Sequence, residues 1–124
     1  MKCPKCHAAM DSVRLHGVEI DRCSGCKGLW FDNGELDTLG AIRDSEMLDL
    51  GSAAIGNIFN GQHDIDCPRC DDIALLTKQL GGSGLTVEHC PQCQGKFFDA
   101  GEFTAYKYRG PLAPLRTLYS RLTA

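Results

Sequence analysis

The chain has 124 residues, a formal net charge of −3 and eight cysteines. Its longest apolar neighbourhood, residues 51–59, is short and broken by glycines, which excludes a membrane-spanning helix of eighteen or so apolar residues. The excess of acid argues against a general phosphate-binding surface, and a cysteine motif starting at Cys3 leaves no room for a signal peptide, so a soluble protein of the reducing cytoplasm is expected.

Cys3-Pro4-Lys5-Cys6 opens the first motif. Two residues between the cysteines let one tight turn aim both sulfurs at a single point, and Pro4 presets φ in that turn. Val13 and Leu15, then Val18 and Ile20, alternate with polar residues on either side of Gly17. This pattern predicts strand, turn and strand before the second pair, Cys23 and Cys26. Trp30 and Phe31 follow on opposite sides of an extended segment. At least one ring is expected to cover the hairpin and cysteine site, leaving the other free to reach a partner. Asp32 and Glu35 stand three apart and predict a helix start at which the aspartate caps free N–H groups and the glutamate reaches back. That structural use argues against reading them as catalytic carboxylates.

The helix is expected to run through Leu39 and Ile42 as far as Leu48 or Leu50, completing a first unit at 1–50. Gly51, Gly56 and Gly61 then interrupt it. Residues 51–64 form a connector in which Ala53, Ala54, Ile55, Ile58 and Phe59 are too apolar for a solvated linker. These side chains are expected to be buried, either between the two units or across the twofold axis of a homodimer.

Residues 65–110 repeat the plan: Cys67, Cys70, Cys90 and Cys93, then Phe97-Phe98-Asp99-Ala100-Gly101-Glu102 and a short helix. Leu85 and Val87 take the places of Val18 and Ile20. Nineteen residues separate Cys70 from Cys90 where sixteen separate Cys6 from Cys23, and a longer turn at Gly81-Gly82-Ser83 accounts for the excess. Gly110-Pro111 ends the unit. In residues 111–124, Pro114 starts a segment whose Leu115, Leu118 and Leu122 fall at i, i+3 and i+7, predicting an amphipathic docking helix or tail.

The repeated units of some forty residues bury too little to fold unaided. Four thiolates satisfy a tetrahedral Zn2+ completely, and Cys-x-x-Cys pairs at this separation are a zinc spacing. Cys3, Cys6, Cys23 and Cys26 are therefore expected to hold one zinc, and Cys67, Cys70, Cys90 and Cys93 a second. Iron, as a single ion or an iron–sulfur cluster, uses the same ligand set. With both sites full, His7, His16, His63 and His89 are read as bystanders. No nucleophile and base can be paired, and Gly81-Gly82-Ser83-Gly84 lacks the lysine of a phosphate loop. No catalytic site, and no cofactor besides zinc, is therefore expected.

Cys-Pro-x-Cys, Val18-Glu19-Ile20-Asp21-x-Cys and Cys-x-Gly-x-Trp-Phe-Asp-x-Gly-Glu-Leu resemble the small bacterial zinc-finger family of the transcription factor IIB type. Cys3 to Leu36 fits nearly throughout. Cys67 to Phe103 departs at Phe97, which replaces Trp30, and at Phe103, which replaces Leu36. The resemblance implies two tandem zinc ribbons in a small, metal-stabilised α+β fold, each ribbon followed by a helix, with the eight cysteines as ligands.

Charge separates the halves. Eight thiolates at −1 each and two zinc ions at +2 each take the formal −3 to −7. Residues 1–64 hold six basic against ten acidic residues, whereas no Asp or Glu follows Glu102. The expected function is a non-enzymatic structural zinc protein that presents a surface to protein partners, in transcription or another assembly. One alternative is RNA or single-strand binding by Lys107, Arg109, Arg116 and Arg121, interleaved with Tyr106, Tyr108 and Tyr119. Another is a redox-sensitive zinc-thiolate switch.

Overall fold

The computed structural model describes residues 1–80 and 84–109. Its elements in chain order are β1 (Met10–Leu15), β2 (Val18–Cys23), β3 (Leu29–Phe31), α1 (Glu35–Gly40), a 3-10 helix (Ser45–Leu48), α2 (Ala53–Phe59), β4 (Leu76–Leu80), β5 (Leu85–His89), β6 (Lys96–Phe98) and α3 (Glu102–Arg109). Both expected hairpins are present. His16 and Gly17, with φ of 49° and 80°, form the two-residue turn between Leu15 and Val18, where positive φ at both positions matches the strand twist.

The units share one sheet. Its order is β1-β2-β3-β6-β5-β4, with every neighbouring pair antiparallel. At its centre Leu29 pairs with Phe98, Trp30 with Phe97 and Phe31 with Lys96, so equivalent residues of the two copies exchange places about an internal twofold axis through Trp30 and Phe97. Gly28 and Gly95 make this close approach possible. A β-carbon built on Gly28 lies 2.3 Å from the Phe97 ring, and one built on Gly95 lies 2.2 Å from the Trp30 ring.

Alternation along the strands places a core on each face. Trp30 and Phe97 lie with the cysteines, Ile65 and Leu75, while Phe31 and Phe98 lie with Ile20, Leu29, Leu36, Leu39, Leu48, Val87 and Phe103. All four rings of the repeated phrase are therefore buried. The expectation that one ring of each pair is free for a partner is corrected: at β3 and β6, the centre of the sheet, both faces are covered. Phe31 meets Phe98 edge-on at 5.1 Å and Phe103 at 5.1 Å, locking α3 onto the sheet.

The region after module one also differs from expectation. α1 ends at Gly40, Asp44 turns the backbone with φ of 65°, and Ser45–Leu48 forms its own 3-10 turn. A continuous helix to Leu48 or Leu50 is thereby replaced by two short pieces, which lets Leu48 enter the core from a separate direction. Ser52 then caps α2, its side chain accepting a hydrogen bond from the Ile55 N–H at 3.3 Å.

Within α2, Gly56 does not break the helix. A β-carbon there would fall 2.1 Å from the Ala100 carbonyl oxygen, so the glycine is a contact point with module two. Gly51 sits between Lys27 of module one and Ala100 of module two, so the connector lies between the units. The expected burial of its apolar side chains is corrected: Ala53, Ala54, Ile55 and Ile58 are exposed, Ile58 by 75%, and only Phe59 is half-buried, because α2 meets module two through Gly56.

Strand register locates the length difference between the hairpins. Leu80 pairs with Leu85, leaving four turn residues where module one has two, and those numbered 81–83 lie outside the described residues. The third extra residue falls before the strand. Lys2 bridges Ala9 and Asp66 bridges Ala74, so the segment after Cys70 is one residue longer than that after Cys6, and the expectation that Gly81-Gly82-Ser83 takes the whole excess is corrected. The expected docking helix at 111–124 lies outside the described residues. No helix among the described residues is long and apolar enough to cross a membrane.

Candidate metal centres

Each site is assembled from two loops. Cys3 and Cys6 come from the turn before β1, and Cys23 and Cys26 from the turn between β2 and β3. Cys67 and Cys70 precede β4 in the same way, while Cys90 and Cys93 join β5 to β6. The leading cysteine of each pair sits where backbone N–H groups converge. Cys23 Sγ accepts from the N–H groups of Gly25 and Cys26 at 3.3 and 3.4 Å, and Cys90 Sγ from those of Gln92 and Cys93, both at 3.4 Å. Cys3 accepts from Cys6, and Cys67 from Arg69 and Cys70. Such donors favour thiolate over thiol.

Within each quartet the four sulfurs lie within 4.8 Å of one another. Cys3 and Cys26 are 3.7 Å apart, Cys6 and Cys23 3.2 Å, Cys67 and Cys93 3.7 Å, and Cys70 and Cys90 3.9 Å. Sulfurs about 2.3 Å from a tetrahedral zinc stand roughly 3.8 Å from one another. The two quartets therefore fit two zinc ions with little rearrangement. No histidine enters either group.

Acidity within the quartets is uneven. The hydrogen bond from Cys26, helped by backbone N–H groups and opposed by burial, brings Cys3 down to about 5. Burial raises Cys90, but the N–H groups of Cys93 and Gln92 outweigh it and leave the thiol at about 7, while burial pushes Cys67 up to about 12. Cys3 and Cys90 are thus shifted towards the thiolate, whereas at Cys67, which burial raises, zinc must displace a proton.

Beside the cysteines lie two ionic clusters related by the internal twofold axis. Lys5, from the first Cys-Pro-x-Cys turn, crosses to module two. Its Nζ donates to Asp99 Oδ2 at 2.8 Å and to the Phe59 carbonyl of α2 at 2.9 Å, and lies 3.6 Å from Glu88 Oε1. Arg69, from the second such turn, crosses back to module one, with its Nε and Nη2 each 2.9 Å from an Asp32 oxygen and Nη2 2.6 Å from Asp21 Oδ2. The two cations occupy equivalent positions, as do Asp32 and Asp99, and Asp21 and Glu88.

Burial distinguishes the clusters. The Lys5 side chain is fully buried under α2, whereas Arg69 is 41% exposed. The capping expectation is therefore corrected in part. Glu35 and Glu102 reach back to the N–H groups of Asp32 and Asp99 at 3.0 and 2.7 Å, but the aspartate side chains cap no helix and instead bind the opposite module's cation. These partners were legible only as a repeated cation in Cys-Pro-x-Cys and a repeated aspartate after the aromatic pair; nothing in the spacing said that the pairs cross.

Residues 2–42 and 66–109 match the family described as transcription factor zinc-finger, a zinc ribbon of the TFIIB type. The chain belongs to this family. No curated protein and no solved structure matches it. The family match and the paired quartets together make the protein a zinc-binding structural module with two ribbons.

Proposed function

We propose that this transcription factor zinc-finger protein is a non-enzymatic adaptor whose zinc-held sheet presents the connector to a protein partner. The observation that carries the reading is the exposure of apolar side chains on the connector and on the end of module one that leads into it: Met47 and Leu50 are each 62% exposed and Ile58 75%. Contacts to both modules hold this segment in place, so a partner would bind with little further loss of chain entropy. Acidic neighbours Asp44 and Glu46 favour an apolar partner face bordered by basic residues. The family description makes a transcription complex the first place to look.

The C-terminal basic residues are less suited to nucleic acid than their number suggests. Lys107 is buried, and its Nζ donates to the Ile42 carbonyl, Ser45 Oγ and Glu46 Oε2 at 2.8, 2.8 and 2.6 Å. Tyr108 also donates to Glu46.

The test is reconstitution of the zinc-loaded protein with purified transcription-complex components, comparing wild type with Leu50→Glu/Ile58→Glu. Binding that the double variant abolishes, with two zinc ions and native circular dichroism retained, is the expected result. Binding unaffected by the substitutions, or seen only with nucleic acid and lost in moderate salt, would reject the reading.

A further inference from the structure

The two quartets share a plan but are not held alike. In the first, Ser24 ties the two cysteine turns together, because its backbone N–H and its hydroxyl both donate to the Ala9 carbonyl, at 3.0 and 2.9 Å. Ala9 follows the Cys3–Cys6 turn, and Ala74 stands at the same place in module two, since Lys2 bridges Ala9 and Asp66 bridges Ala74. The counterpart of Ser24, the residue after the third cysteine, is Pro91. Proline has neither an N–H nor a hydroxyl to donate. It stiffens its own turn but cannot tie that turn to the other.

The connector reaches both turns of the first quartet. A β-carbon on Gly51 would lie 2.7 Å from the side chain of Lys27, the residue after Cys26. At the other turn, Lys5 Nζ donates to the Phe59 carbonyl at 2.9 Å and Gln62 Nε2 donates to the Lys5 carbonyl at 3.0 Å. The equivalent residues of the second quartet behave differently. Gln94, after Cys93, donates to the Pro91 carbonyl of its own turn at 3.1 Å, and Arg69 is exposed. Exposure of the sulfur ligands follows the same division: Cys6 is the one partly exposed residue of the first quartet, whereas Cys70 and Cys93 are both partly exposed in the second.

We infer that the second quartet is an exchange site for zinc or another soft divalent cation, while the first keeps its ion. Exchange requires one sulfur to leave the ion as another ligand enters. Solvent reaches Cys93, and its turn can part from the Cys67–Cys70 turn without breaking a hydrogen bond of the Ser24 kind. The same movement in the first quartet breaks both Ser24 bonds and disturbs the connector at Lys27 and Lys5.

Cadmium provides the test, since thiolates bind soft cations and its mass and nuclear spin distinguish it from zinc. The zinc-loaded full chain is mixed with cadmium ions and sampled over time. Native mass spectrometry is expected to show a species with one zinc and one cadmium before the species with two cadmium ions. Cadmium–proton correlation spectra should place that first cadmium on Cys67, Cys70, Cys90 and Cys93. Exchange there is expected to be about tenfold faster than at the first quartet, the scale that two absent hydrogen bonds allow. Exchanging the two residues tests the cause: Ser24→Pro should speed exchange at the first quartet and Pro91→Ser should slow it at the second, each variant retaining two zinc ions. Cadmium entering the first quartet first, equal rates at both, or rates that neither substitution changes would overturn the inference.

Discussion

At the residue scale, the two crossing cations are related by the fold but separated by water. Lys5 has no exposed side-chain surface, and removing it leaves Asp99 and Glu88 buried beside each other. Breaking a buried pair costs about 3–5 kcal/mol, whereas exposed pairs contribute about 0–1 kcal/mol. Lys5→Ala is therefore expected to lower the urea midpoint of the zinc-loaded protein sharply, and Arg69→Ala only slightly. Equal effects would show that α2 does not exclude water from the Lys5 site. Beside Lys5, burial, reinforced by the Asp99 charge, raises Glu102 from 4.5 to about 7. The native state then binds more protons than the unfolded state between those values, so stability falls as pH rises through this window. Glu102→Gln retains an acceptor for the Asp99 N–H and cannot ionise. It should be more stable than wild type at pH 8, with the difference shrinking towards pH 5 in matched denaturation curves. Asp99 Oδ1 also lacks a partner, whereas Asp32 Oδ1 accepts the Trp30 indole N–H at 2.9 Å; Phe97 has no N–H to offer.

At the element scale, the hairpins were legible because period-two alternation is local and a turn glycine punctuates it. The helix after module one was not. Leu39, Ile42 and Leu48 read as one stripe, but Leu48 reaches the core from a separate 3-10 turn, so apolar residues facing one core did not require one helix. Asp49 was equally invisible as a cap, since it serves α3, whose capped N–H groups lie more than fifty residues later in the chain. Asp49→Ala is expected to cost about 0.5–2 kcal/mol, in the range of a lost helix cap. Its mark should be faster amide exchange at Gly101 and Thr104 with the exchange of β1 and β2 unchanged. A uniform effect across the molecule would remove Asp49 from that role.

At the scale of the whole molecule, two small units act as one because β3 and β6 join their hairpins into a single sheet and each zinc site lies against the shared Trp30 and Phe97 core. Structural zinc contributes about 10–16 kcal/mol in small fingers, and here its loss from one site should reach the other module. Cys90→Ser is expected to reduce the native mass by one zinc and to lower amide protection in β3 as well as in β5 and β6. An unperturbed module one would show that the sheet does not couple the sites. Chelation of both ions should abolish the folded circular dichroism signal in one transition.

The sequence by itself determined the ligand sets, the paired hairpins, the duplication and the family resemblance, because metal chelation and strand alternation depend on residues close together in the chain. Only the tertiary structure decided that the copies face each other about a twofold axis, that Lys5 and Arg69 cross between them, and that one cluster is buried while its twin stays open. Those outcomes depend on which surfaces meet. The two copies carry nearly the same local instructions, and it is the connector, packed over Lys5 and along α3, that makes their surroundings different.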